Sequence, residues 1–150
     1  MGKKLIKMFI GRYYHTIEAK GRISLPKKFR EKEQQTLIVT RGFDGGLYVF
    51  PQETWLKEVA TLATRTFTKK DHRDIVRLMT NDAQEVEIDH IGRILIPEYL
   101  RQYAHLEKQA VIVGSFNKIE IWDADTYHTY IEKTEQLAEE IAEHIEPSEQ

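Results

Sequence analysis

Apolar and polar positions alternate in short bursts along this chain, and the clearest burst precedes residue 90. Val86 and Ile88 alternate with Glu85, Glu87 and Asp89, the period of two that marks a strand buried on one face. Gly92 follows and supplies the conformational freedom of a tight reversal. Ile94 and Ile96 then lead to Pro97, which holds the residue before it extended and suits the first turn of a helix. Strand, turn, strand and a helix of about two turns are predicted. Two apolar runs, at about 110–115 and 118–122, meet across Ser115-Phe116-Asn117-Lys118 as a hairpin. A longer helix follows, capped by Asp123 or Asp125, with Ile131, Leu137 or Ala138, Ile141 and Ile145 as its apolar stripe.

The same order of elements stands earlier in the chain. Glu18-Ala19-Lys20-Gly21-Arg22-Ile23-Ser24-Leu25-Pro26-Lys27-Lys28-Phe29-Arg30 recurs 71 positions later as Asp89-His90-Ile91-Gly92-Arg93-Ile94-Leu95-Ile96-Pro97-Glu98-Tyr99-Leu100-Arg101. The acid, Gly-Arg, Pro and final Arg keep their spacing in both copies. Strands at about 36–41 and 47–50 form the first copy's hairpin around Gly42-Phe43-Asp44-Gly45-Gly46. Pro51 begins a helix placing Trp55, Leu56, Val59 and Leu62 on one face. Lys69-Lys70-Asp71-His72 opens another helix, with Ile75, Val76, Leu78 and Met79, that reads as a packed connector. The repeat unit is a supersecondary structure. Four strands per half are too few to close a barrel alone, so the two copies are expected to complete one compact β unit about a pseudo-two-fold axis.

At 150 residues and 41% hydrophobic, the chain supports one core or two intimately packed halves, not two independent domains. No cysteine is present, which removes disulfides and thiolate metal sites and leaves cytoplasm as the expected location. No apolar run approaches the roughly 18 residues that span a bilayer, and the first residues lack the apolar region of a signal peptide. The net charge of −2 hides a separation: residues 1–30 carry nine lysines and arginines against one glutamate, and residues 121–150 carry nine acids against Lys133. That separation suits an anionic partner at the front and a solvated or repelling acidic tail, its last residues 146–150 polar and frayed, or ends that neutralise each other in an oligomer.

Enzymatic chemistry finds no support in the pattern. There is no Gly-x-Ser-x-Gly, and the glycines at 42, 45 and 46 are not followed by the Lys-Ser/Thr of a phosphate loop. The six histidines show no metal-ligand spacing, so no metal and no cofactor are expected. Lys27 and Lys28 fall in the first turn of a helix, where the dipole disfavours cations by about 0.3–1 kcal/mol each. The second copy has Glu98 and Tyr99 there. Such a placement fits a phosphate-binding surface, or an ordinary lysine-rich turn. Arg22 and Arg93 each follow a turn glycine, which aims a permanently charged fork outward, able to take the two acceptors on the major-groove edge of guanine. The competing reading pairs each arginine with the acid four residues earlier, Glu18 or Asp89.

At these residues the chain resembles the MraZ family of bacterial transcriptional regulators, whose fold is similar to the swapped-hairpin fold of AbrB-type DNA-binding domains. The family signature is two copies of Asp-x-x-x-Arg; Asp89-His90-Ile91-Gly92-Arg93 matches in full and Glu18-Ala19-Lys20-Gly21-Arg22 carries Glu for Asp. The likeness runs from Met8-Phe9-x-Gly11 to Phe116-Asn117-Lys118-x-Glu120-x-Trp122-Asp123, and residues 1–7 read as an extension ahead of it.

The resemblance implies an α+β fold with a mainly β core: two pseudo-symmetric AbrB/MazE-like swapped-hairpin repeats forming one β-barrel-like unit. Residues 8–55 are the first repeat, of the SpoVT-AbrB type, 56–80 a helical connector, 81–127 the second repeat and 128–150 an acidic C-terminal helix and tail. It implies a repressor, associated with the nucleoid, that binds direct repeats in the promoter of its own division and cell-wall operon as a ring-shaped homo-oligomer. Double-stranded DNA is the expected partner and no membrane is involved. Arg22 and Arg93 are the expected base-reading residues, with Lys20, Lys27, Lys28 and Arg30 on phosphates or in support and Glu18 and Asp89 orienting the arginines. Glu18 is one methylene longer than the family's Asp, and Ile91 stands where a Lys is expected, which makes the second copy the weaker reader. The alternative is a non-catalytic adaptor that binds a basic protein through its acidic C-terminal helix.

Overall fold

Every strand of one repeat finds at least one partner in the other or in its own hairpin, and the exchange decides the architecture. The computed structural model describes residues 8–30, 36–65 and 68–145. The expectations for residues 1–7 and for the tail at 146–150 lie outside that range. The first repeat supplies β1 (Arg12–Thr16), β2 (Arg22–Ser24), β3 (Thr36–Arg41) and β4 (Leu47–Pro51); the second supplies β5 (Gln84–Glu87), β6 (Arg93–Leu95), β7 (Gln109–Gly114) and β8 (Ile119–Asp123). One antiparallel sheet of six strands runs β1-β7-β8-β4-β3-β5, and β2 pairs with β6 in a separate ribbon. Thus β1 lies on the second repeat's hairpin, and β5 on the first's. The hairpins meet at the centre through β4 and β8, with Leu47 opposite Ile121 and Val49 opposite Ile119.

That order reads the same from either end under exchange of the repeats, which is the pseudo-two-fold axis expected from the sequence. The sheet does not close into a barrel. β1 and β5 remain its two edges, because closure would need them to reach each other across the β2–β6 ribbon and the core beneath it.

A single core fills the space between sheet and ribbon. Ile23 and Ile94, each 1% exposed and directly paired, descend from the ribbon onto Leu37, Val39, Leu47, Val49, Ile112, Ile119 and Ile121 of the sheet. Leu25 and Phe29 of one repeat and Ile96 and Leu100 of the other complete it. Phe29 meets Phe9 and Tyr13 edge to face, with centroids 5.5 and 5.3 Å apart.

Helices cover the sheet's other side. Over the first half lie α1 (Gln52–Arg65) and α2 (Lys70–Asn81), the latter tied down by the Thr40 hydroxyl donating to the Met79 carbonyl at 2.8 Å and by the Arg41–Asp82 ion pair. Leu56 does not join Trp55, Val59 and Leu62 on the inner face and is exposed, since Trp55, Val59 and Leu62 follow the i, i+4, i+7 spacing and Leu56 falls a hundred degrees away. The helices after the prolines also differ. Residues 98–103 form the α-helix α3 (Glu98–Tyr103), whereas Lys27–Phe29 is one 3-10 turn that ends at extended Arg30. Over the second half, α4 (Ala124–Gln136) starts at Asp123, whose carboxylate accepts from the Thr126 amide at 3.0 Å and its hydroxyl at 2.9 Å. Tyr127 packs on Val111, Val113 and Trp122. The stripe expected from one helix is divided: Leu137 breaks it, α5 (Ala138–His144) follows, and Ile141 and Ile145 stay exposed.

Candidate nucleic-acid interface

Both acid-to-arginine segments fold into the same turn. In the first, the Glu18 amide donates to the Arg22 carbonyl at 2.8 Å and the Gly21 amide to the Glu18 carbonyl at 3.1 Å; in the second, Asp89 and Arg93 bond likewise at 2.8 Å and Gly92 donates to Asp89 at 3.0 Å. Gly21 and Gly92 have φ of 86° and 88°, a left-handed geometry that costs other residues and that glycine adopts freely. Each chain then crosses into the ribbon. With Ile23 and Ile94 turned inward, the ribbon's outer face carries Arg22 opposite Leu95 and Ser24 opposite Arg93.

The two arginines are held differently. Asp89 closes a local turn: one carboxylate oxygen accepts from the Ile91 amide at 3.0 Å and the Arg93 amide at 2.8 Å, and the other from Arg93 Nε at 2.9 Å. These bonds, the Arg93 amide first, hold the Asp89 carboxyl down at about 2. Glu18 does not pair with its own Arg22. Its longer side chain crosses the pseudo-axis, accepts from Arg93 Nη1 at 3.2 Å and takes a weak bond from Ser24 at 3.5 Å. The first turn therefore lacks a carboxylate folded back onto its own amides, and Lys20 sits at φ 66° where Ile91 does not enter the left-handed region.

Arg93 is thus bound on two sides and its side chain is 24% exposed. Arg22 is half-buried, and its guanidinium makes no hydrogen bond or ion pair with any described residue. Lys20, Lys27 and Lys28 are exposed on the same repeat, and their ammonium groups have no partner among the described residues. The ion-pair alternative holds for Arg93 and does not hold for Arg22. Arg30 stands apart from this group, half-buried, with its Nε shielded from solvent and without a partner among the described residues. Arg101, its equivalent, donates from Nε to the Ile96 carbonyl at 2.9 Å and was not singled out as a site residue from the sequence. The signal for it was present: both copies end in Arg although the residues before it differ.

A two-repeat α+β protein with a mainly β core, strands exchanged between the repeats and paired arginine turns is what this fold and site define. The sequence pattern described as "MraZ protein, putative antitoxin-like" matches residues 8–78 and again residues 79–146. The chain is 42% identical over 139 residues, 93% of its length and 97% of the relative's, to a protein of Thermoanaerobacter sp. (strain X514) named transcriptional regulator MraZ. Relatives of the same name are 43% identical over 136 residues in Carboxydothermus hydrogenoformans, covering 91% of this chain and 95% of the relative, and 44% over 138 in Ligilactobacillus salivarius, covering 92% and 96%. The chain belongs to the MraZ family. That family is one of transcriptional regulators and not a class of enzymes. Among the described residues, no helix is long and apolar enough to cross a membrane.

Proposed function

We propose that this MraZ-family transcriptional regulator binds double-stranded promoter DNA sequence-specifically, with the Lys20–Arg22 turn as its principal reader and no catalytic activity of its own. The observation that carries this reading is the contrast between the arginines. Arg22 is presented on a rigid ribbon with no carboxylate on it, among exposed Lys20, Lys27 and Lys28. A guanidinium without an internal partner keeps both donor edges for a guanine, worth on the order of 1–3 kcal/mol of discrimination. Arg93 must share its fork with Asp89 and Glu18, and so contributes less. Ser24 and Leu95 border the two arginines on the ribbon and complete the surface a groove would meet.

One chain offers few contacts. Several copies arranged head to tail in a ring would present the same turn repeatedly in one direction, which matches direct repeats and raises avidity by effective concentration. The target is its own division and cell-wall operon, repressed from such repeats, in a cytoplasmic, nucleoid-associated complex. Footprinting on the DNA upstream of its own coding sequence, at several salt concentrations, tests this. Protection of evenly spaced direct boxes, with log K falling against log salt at roughly −0.9 per phosphate neutralised, is expected. One symmetric palindrome, or binding indifferent to salt, would count against it.

A further inference from the structure

Both copies of the repeat end in an arginine, and each of these side chains packs on a glycine turn. The Arg30 guanidinium lies across the Gly92 turn: a Cβ on Gly92 would run into Nη1, Cζ and Nε of Arg30. The Arg101 guanidinium lies across the Gly21 turn in the same way, against its Nε, Cζ and Cδ. Each arginine therefore packs on the turn of the other repeat. The main chain makes the same exchange, with the Leu25 amide donating to the Gly92 carbonyl and the Ile96 amide to the Gly21 carbonyl, both at 3.0 Å. Arg101 is fixed further by its bond to the Ile96 carbonyl. Arg30 has no such bond among the described residues: the chain leaves its 3-10 turn at Arg30 with φ −110° and ψ 127°, and its Nε is buried without a partner.

We propose that Arg30 and Arg101 are positioning residues that set the recognition turns crosswise: Arg101 of the second repeat aims the turn bearing Arg22, and Arg30 of the first aims the turn bearing Arg93. Glycine at 21 and 92 then serves two ends, the left-handed backbone and the space a planar guanidinium occupies. The specificity of each turn is determined in part by the repeat that does not contain it. This rests on the reading that the turns contact DNA.

Lysine discriminates the roles, since it keeps a charge for phosphate but cannot lay a flat fork over a glycine. In the full chain, on its upstream DNA with single-base variants of the box, Arg101→Lys is expected to lose about tenfold in discrimination at the same base positions that Arg22→Ala affects. The slope of log K against log salt should stay at the wild-type value. Arg30→Lys should act at the positions sensitive to Arg93→Ala. Full rescue by lysine, or a slope reduced by about 0.9 in Arg30→Ala and Arg101→Ala with base preference intact, would assign direct phosphate contacts and overturn the proposal. Amide hydrogen exchange decides it without DNA. Arg30→Lys should speed exchange at Leu25 more than at Ile96, and Arg101→Lys the reverse; equal changes at both, or none, would overturn it. If Arg22→Ala leaves base preference untouched, the DNA reading fails, and the exchange pattern alone still judges the crosswise arrangement.

Discussion

Asp89 and Glu18 occupy equivalent positions and do different work, and the difference is one methylene. The shorter carboxylate reaches the amides two and four residues ahead and the Nε of its own arginine; the longer one overshoots its turn and bonds the arginine of the other repeat. A spacing argument places each acid four residues before an arginine and stops there, so the pairing of Asp89 with Arg93 was legible and that of Glu18 was not. The local bonds also set a pH dependence. The Asp89 carboxyl titrates at about 2 in the folded protein, below the roughly 3.9 of an unfolded aspartate. Its contribution to stability is present above about pH 4 and is lost as pH falls through 2. Asp89→Asn keeps a carbonyl acceptor and removes the charge, so thermal melts should separate it from the wild type at pH 7 and bring the two together near pH 2. A gap of undiminished size at pH 2 would place the stabilisation elsewhere.

At the scale of elements, the hairpins, the proline-led turns and α4 follow from local chemistry and were readable from period and punctuation. Asp123 illustrates it: a short acid before a helical run is a cap, and its carboxylate takes the Thr126 amide. Asp123→Ala should cost about 1 kcal/mol in urea denaturation, with the slope against denaturant unchanged. A loss under about 0.3 kcal/mol would mean that the packing of Tyr127 on Trp122 holds the helix start without the cap. Local pattern did not distinguish a short turn from a full helix. The turn after Pro26 stops at Arg30, while its counterpart continues through Tyr103 as an α-helix. The break at Leu137 likewise leaves no mark in a stripe that a continuous helix would also have shown.

The whole molecule depends on exchange between the repeats. The internal repetition pointed to a pseudo-two-fold unit, and the strand order has that symmetry; an unclosed sheet depends on how far the edge strands are carried apart, which no single repeat encodes. Because, among the described residues, β2 has its ladder only with β6 and β1 only with β7, one repeat alone leaves Ile23 and Leu25 without the partners they have in Ile94 and Gly92. Fragments 8–78 and 79–146 are each expected to be largely unfolded by circular dichroism, and a cooperative transition from either fragment would contradict the exchanged core.

The proposed function stands on the guanidinium of Arg22 reading base edges from the first turn. Gel-shift titration of the wild type and Arg22→Ala on the upstream box, beside a scrambled duplex at the same salt, tests it most directly. The variant should lose its preference for the box, falling at least tenfold to the affinity of the scrambled duplex, while its stability stays within about 0.5 kcal/mol of the wild type. An Arg22→Ala protein that still prefers the box as strongly as the wild type would contradict it.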